Sequence, residues 1–239
     1  MKPTRAFTLM ELLVSLAVVA LLASLLLAGV NKVRSAAHAT RCVTNLKAIG
    51  SAMRAFTVEN RGYFPPHNTY AFFETSDAER VRKLRWHWMS YLAPYLGSPD
   101  YGGPVSPVFE CPADPSVRAW PKPRPWVPAS PEERSHVFCS YGFNYYHLTS
   151  SYSWQKGQQT WPFNTVTIRN PASLILVTDG REPSDDPAAP KDPIVHPFSD
   201  SNRPTLRHGG RFNAVFLDGH VAAMPSSAAM KAKPYWQPE

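Results

Sequence analysis

Residues 6–31 read AFTLMELLVSLAVVALLASLLLAGVN, and from Leu12 to Val30 there is no charge. At about 1.5 Å rise per residue such a helix covers roughly 30 Å of hydrocarbon, the depth of a bilayer core. Lys2 and Arg5 stand ahead of it, and one acid, Glu11, lies just inside its front edge. A carboxylate at the centre of an apolar span costs on the order of 2.5–3.5 kcal/mol and less near the interface. An acid kept there either snorkels to the headgroups or meets a partner.

Basic residues, a small residue, then Phe7-Thr8-Leu9-Met10-Glu11 and about twenty apolar residues resemble the N-terminal signal of prepilins and pseudopilins. The resemblance implies that a membrane peptidase cuts between Ala6 and Phe7 and methylates the new amine of Phe7. Glu11 then becomes the fifth residue of the mature chain, and Ala6 stands where most members carry glycine. It also implies a cytoplasmic N-terminus and a periplasmic domain anchored by a single pass in the inner membrane. The charges alone do not orient the span, because Lys32 and Arg34 follow it as closely as Lys2 and Arg5 precede it. Once the amine exists, a carboxylate one helical turn further on can neutralise the amine of a neighbouring copy. Two opposite charges in an apolar bundle cost less together than apart.

The prolines divide the remainder. One is Pro3, and all the others of the 25 lie from Pro65 onward. Proline costs a helix interior about 3 kcal/mol, so the contrast predicts one long helix followed by a loop-rich domain. Beyond the bilayer the helix continues as an amphipathic stripe, Cys42, Leu46, Ile49, Met53 and Phe56, spaced to share one face. The stripe is too short for a free coiled coil and is read as a lid on a sheet. Asn60-Arg61-Gly62 supplies the stop. The resulting division is a leader over 1–6, a long helix over 7–62 (spanning over 7–30, amphipathic over 31–62) and a pilin-like globular domain over 63–239. The fold class is α+β, with the helix packed on an antiparallel sheet joined by long loops.

Within the domain, Asp77 to Leu92 reads as a short helix that turns Leu84, Trp88 and Leu92 inward and ends at Pro94. Residues 97–135 and 180–204 read as loops rich in proline. Strands are predicted at Val137–Asn144, Thr165–Ile168 and Leu174–Val177, the last buried on both faces. Phe212–Leu217, Asp218-Gly219 and His220–Met224 form the clearest hairpin signal. A two-residue turn there pairs Leu217 with His220 and Val215 with Ala222. Both hairpin faces are mostly apolar, and the stripe is a natural cover for one.

A second resemblance centres on that hairpin. His208, nine intervening residues, then Asp218-Gly219 is similar to the C-terminal motif of a family of prepilin-like proteins. The pieces Asn45–Gly50, Phe64-Pro65-Pro66, Leu92–Leu96, Phe109–Asp114 and Ser140–Asn144 follow that family's order as well. This implies a pseudopilin-like subunit without a defined substrate.

Three cysteines are an odd count for a disulfide framework. In a domain outside the inner membrane the expected pair is Cys111 with Cys139, leaving Cys42 over, although spacing does not establish a bridge. No CxxC occurs, which argues against a zinc knuckle. His208, Asp179 and Asp218 are a candidate oxygen-rich metal site, and turn chemistry is the simpler account of them. Net charge is +7, yet the basic residues are scattered. The densest cluster, Arg80, Arg82, Lys83 and Arg85, reads as a solvated helix face, and no nucleic-acid partner is expected. Nucleophile, phosphate-loop and HExxH signatures are absent, and nothing calls for a cofactor.

The function expected is structural: a subunit of a pilus or a type II secretion pseudopilus, with prepilin peptidase, other pilin subunits and the inner membrane as partners. The alternatives are an exported carbohydrate-binding surface protein, with Trp120 and Trp126 as platform, and a metal-dependent enzyme.

Overall fold

The computed structural model describes residues 8–65, 88–97, 106–115, 117, 139–144, 148, 152–153, 158–159, 164–180, 204–225 and 235–236. Helix α1, Leu9–Glu59, runs unbroken for 51 residues, which at 1.5 Å per residue is about 77 Å. Its far end stops as the sequence implies. The Asn60 N–H and side-chain amide both donate to the Phe56 carbonyl, at 3.0 and 2.8 Å. Arg61 and Gly62 then take left-handed conformations, φ 56° and 86°, and Gly62 N–H donates to the Thr57 carbonyl at 2.7 Å.

The two halves of α1 have different surroundings. Over Leu9–Leu26 no residue is buried, whereas Cys42, Leu46, Ile49, Met53 and Phe56 all lie in the core. The stripe therefore caps a sheet, as its spacing implies. Leu9–Leu26 needs another apolar medium.

The sheet is β1 (Tyr141–Phe143), β4 (Ile175–Asp179), β5 (Phe212–Phe216) and β6 (Val221–Met224), in that order and antiparallel throughout. Every residue of β4 is buried, the apolar run through Val177 as expected and the polar Thr178 and Asp179 with it. A bulge in β4 leaves Leu176 as the extra residue between the pairs Ile175–Phe216 and Val177–Val215. Leu176 and Val177 both reach the helix-side core as a result, while Ile175 joins Phe212, Ala214, Phe216, Met224 and Trp236 on the opposite face. Short strands β2 (Tyr152–Ser153) and β3 (Gln158–Gln159) pair with each other.

Two local expectations are corrected. The β5–β6 hairpin pairs Val215 with Val221 and Ala214 with Ala222. This is one residue out of the predicted register, because the loop holds Leu217, Asp218 and Gly219 rather than two residues. Gly219 N–H closes a turn on the Phe216 carbonyl at 2.9 Å, and Gly219 then takes φ 94°, the three-residue loop with a left-handed glycine. The shift puts Val221 on the helix side with Val215, where the sheet core needs it. Thr165–Thr167 is a turn of 3₁₀ helix rather than strand. Asn164 caps it by accepting from Val166 N–H, and Val166 is left 86% exposed. Helix α2 (Trp88–Leu92) stops at Leu92 as expected, and a 3₁₀ turn, Ala93–Leu96, with Pro94 near its start follows it. Trp88 and Leu92 face inward as expected, with Trp88 between Phe109 and Phe143 at ring distances of 5.7 and 5.6 Å. Leu84, the Arg80–Arg85 cluster, Trp120 and Trp126 lie outside the described residues.

The disulfide is also corrected. Cys42 on α1 is bonded to Cys111, with Cα atoms 5.2 Å apart, and Cys139 is a buried thiol that donates to the Tyr141 carbonyl at 3.1 Å. Position explains the choice. Cys42 opens the buried stripe, so it faces the Phe109–Asp114 turn rather than being left over on the helix. The bridge spans 69 residues, a loop whose closure is worth about 4 kcal/mol by chain entropy. Non-reducing peptide mapping is expected to recover the Cys42–Cys111 pair. Cys42→Ser should lower stability by about 2–4 kcal/mol, whereas Cys139→Ser leaves the bridge intact.

Helix and sheet meet tightly at Gly50, where an added Cβ would lie 2.6 Å from Val215 Cγ2. Alanine gains about 1 kcal/mol of helix propensity but forces a stiff β-branched neighbour aside, an overpacking cost of about 1–3 kcal/mol. Gly50→Ala is therefore expected to lower the thermal midpoint. Adding Val215→Ala should cost less in the Gly50→Ala background than alone, as a double-mutant cycle will read.

Candidate functional site

The first candidate is the membrane end of α1. Ala6 and Phe7 lie outside the described residues; Thr8 is the N-cap of α1, in extended conformation. Thr8 and Glu11 form a capping box. Glu11 N–H donates to Thr8 Oγ1 at 3.3 Å, while Glu11 Oε2 accepts from Thr8 N–H at 3.0 Å and from its hydroxyl at 2.9 Å. The reciprocal pair satisfies amides that a helix start leaves open. Thr8-Leu9-Met10-Glu11 carries that signature in plain sight, and the emphasis on Glu11 as an intermolecular partner passed over it. Further along, Ser15 and Ser24 donate to the carbonyls of Leu12 and Leu21, at 2.8 and 2.7 Å. Their hydroxyls thus need no solvent, as a spanning helix requires.

The second candidate is a polar cluster under the disulfide. Tyr141 of β1 pairs with Asp179 at the end of β4, which puts Asp179 on the helix side of the sheet beside Tyr141. The carboxylate is fully buried. Its Oδ2 accepts from Asn213 N–H at 2.7 Å and faces His208 Nε2 at 3.4 Å. His208 Nε2 also lies 3.7 Å from Cys111 Sγ. Gly209 and Gly210, at φ 64° and 76°, turn the chain so that His208 N–H reaches the Arg211 carbonyl at 3.1 Å. The histidine is thereby directed back over the sheet edge.

Arg207 organises the surrounding backbone. Its guanidinium donates to the carbonyls of Ser140 and Gly180 at 2.8 and 2.7 Å and pairs with Asp114 Oδ2 at 3.5 Å. Both side chains are almost wholly buried. A buried pair of this kind offsets its desolvation only when hydrogen bonds complete it, and here the carbonyls do so. Gly180 permits the crossing, since a Cβ would lie 3.0 Å from the Tyr141 carbonyl carbon. Asn45 of α1 joins from above, donating to the Glu110 carbonyl at 2.9 Å and to the Tyr141 hydroxyl at 3.2 Å. Burial, with the nearby Asp179 charge, pushes the Tyr141 phenol well above its ordinary range.

The structure brings together two of the three residues weighed as a metal site against simple turn chemistry. Asp179 and His208 meet, while Asp218 sits at the opposite end of β5. There it accepts from His220 N–H at 3.0 Å and pairs with His220 Nδ1 at 2.6 Å, and its carbonyl accepts from Arg54 at 2.9 Å. Burial pushes its carboxyl up, but the hydrogen bonds from His220 and the charges of His220 and Arg54 hold it below the usual carboxylate value. The nine residues between His208 and Asp218 are thus the length of strand β5 with its entry turn, and Gly219 serves the exit turn. No site joins His208, Asp179 and Asp218. Arg207 was not singled out from the sequence, and Asp114 entered only as the end of the Phe109–Asp114 piece, without a role. Their neighbours His208 and Cys111 were, so adjacency was the available signal.

Residues 1–27 match the family described as the prokaryotic N-terminal methylation motif. No curated protein and no solved structure matches the chain. The match ends ahead of the globular domain, so the pattern from His208 to Gly219 rests on sequence and geometry alone. The apolar helix behind the motif fits a membrane-anchored, single-pass protein, and the sheet behind that helix completes an α+β, pilin-like fold. The chain thus carries an N-terminal methylation motif on a pilin-like architecture, the marks of a type IV pilin-like or pseudopilin-like substrate of prepilin peptidase.

Proposed function

We propose that the protein is a structural subunit of a pilus or secretion pseudopilus, cut between Ala6 and Phe7, methylated at Phe7 and assembled through α1. Before assembly it is held in the inner membrane, with residues 1–6 in the cytoplasm and residues 63–239 in the periplasm. The observation that carries this reading is the wholly exposed apolar surface over Leu9–Leu26, rigidly continuous with a helix half that is locked into the domain by its stripe and by Cys42. Such a surface is stable in lipid or against copies of itself. Lipid tails and leucine are about equally apolar, so the transfer from membrane to filament gains little from burial alone. Close packing and the pairing of Glu11 with a neighbour's Phe7 amine supply the preference. The capping box keeps Glu11 partnered until then.

Intact mass of the membrane-extracted chain is expected to show loss of residues 1–6 and one added methyl group. A chain that keeps its first six residues overturns the reading. Glu11→Gln retains the capping geometry and removes the charge; it should insert in the membrane yet enter filaments about tenfold less, the effect of roughly 1.4 kcal/mol per subunit contact. Entry at wild-type level would show that Glu11 acts as a cap and not as an amine partner.

A further inference from the structure

Three potential ligand atoms from three separate segments converge beneath α1. Cys42 Sγ, Cys111 Sγ and His208 Nε2 all lie within 4.8 Å of one another. Both cysteines are fully buried, and the His208 side chain is 7% exposed. Beside them is Asp179, whose Oδ2 is 3.4 Å from His208 Nε2 and whose buried Oδ1 has no hydrogen-bond partner. A buried carboxylate with an oxygen left unsatisfied favours a cation close by.

We propose that the reduced chain binds a zinc-class divalent cation here, through Cys42, Cys111 and His208, with Asp179, which faces the same Nε2 from outside that trio, closing in to the fourth position. Two thiolates, an imidazole and a carboxylate are the donor set of tetrahedral zinc. Zinc bonds of about 2.3 Å to sulfur and 2.0–2.1 Å to nitrogen or oxygen give tetrahedral edges of about 3.6 Å for N···S and about 3.3 Å for N···O. The separations of Nε2 from Cys111 Sγ and from Asp179 Oδ2 are 3.7 and 3.4 Å; once reduced, the two sulfurs part to an edge of about 3.8 Å and Asp179 moves toward them. Asn213 N–H, holding Asp179 Oδ2 at 2.7 Å, is the outer contact that orients such a ligand.

Metal and disulfide are alternative clamps at one place. Each thiol gives its proton to solvent as its sulfur binds zinc, and no electron moves. When a disulfide-bearing oxidoreductase accepts two electrons and the sulfurs bond to each other, two ligands are lost and zinc leaves. The newly exported, still reduced chain thus holds α1 on the Phe109–Asp114 turn and the β5 entry before the bridge closes.

The test uses the full chain in detergent, with a phosphine as reductant. Phosphorus gives two electrons to the disulfide and leaves as phosphine oxide with oxygen from water, and the sulfurs take up two protons. Zinc is titrated against a chromophoric chelator, and cobalt(II) serves as the spectroscopic probe. The reduced chain should bind one zinc at least about 100-fold tighter than the bridged chain, and its cobalt form should show thiolate charge transfer and tetrahedral bands. Asp179→Asn should weaken binding about tenfold and His208→Ala more, while Cys139→Ser leaves it unchanged. Each variant is first shown, before reduction, to carry the Cys42–Cys111 bridge and to melt cooperatively, so that lost affinity is not lost folding. Equal affinity in the reduced and bridged forms, a cobalt spectrum without thiolate bands, or full affinity in His208→Ala would overturn the site.

Discussion

The seating of one helix in two media governs this protein. Over its length α1 satisfies its own backbone hydrogen bonds, so its surface alone decides where each part can lie. The stripe from Cys42 to Phe56 is complementary to the sheet face carrying Leu176, Val177, Val215 and Leu217. Gly50 leaves room there for the Val215 side chain, which a Cβ would meet at 2.6 Å. Once that contact is made, the exposed half of the helix projects as a rigid continuation of the domain. Orientation of the domain relative to the apolar segment is therefore set by core packing rather than by a linker.

How far the sequence disclosed this follows from the range of each interaction. The apolar span, the stripe and the stop at Asn60-Arg61-Gly62 are local patterns, with periodicities and turn residues that a single helix must obey, and they were legible. So was the buried run of β4, because residues buried on both faces have no polar alternation to blur. The hairpin failed by one residue, since Asp218-Gly219 suits both a two-residue turn and the end of a three-residue loop. Only the demand that Val221 share the face of Val215 separates the two. At Thr165–Ile168 the β-branched composition pointed to strand, and Asn164, a capping side chain just outside the window, turned the segment into a 3₁₀ turn.

The cysteine pairing and the polar cluster were beyond that range. Cys42 pairs with Cys111 because a helix face and a distant turn meet in three dimensions, and sequence separation does not encode that meeting. The same holds for Arg207, whose carbonyl and carboxylate partners come from three other segments. Asp179 and His208 were linked correctly, while Asp218 was added on the strength of its residue type and belongs to a turn at the other end of β5. Polar residues around a tight loop read alike whether they shape the backbone or serve a site. Only burial distinguishes them, and Asp179 and Asp218 differ in that respect more than in any other.

Glu11 illustrates how one side chain can serve two stages of the proposed assembly without a conformational change elsewhere. In the isolated chain its carboxylate closes on Thr8, which lowers the cost of carrying a charged group at the edge of the membrane by giving it two donors. A methylated amine at Phe7 of a neighbour would present a full positive charge to the same oxygen atoms, and a carboxylate has lone pairs enough to accept it while keeping the contacts to Thr8. The capping box then acts as preorganisation. The acid is already held at the helix start, so little side-chain entropy is lost when the neighbour arrives. A lysine-length partner would have to reach that position on a flexible stem. An amine fixed at the first backbone nitrogen does not, and that difference makes a processed N-terminus, rather than an ordinary basic side chain, the fitting counterpart of this acid.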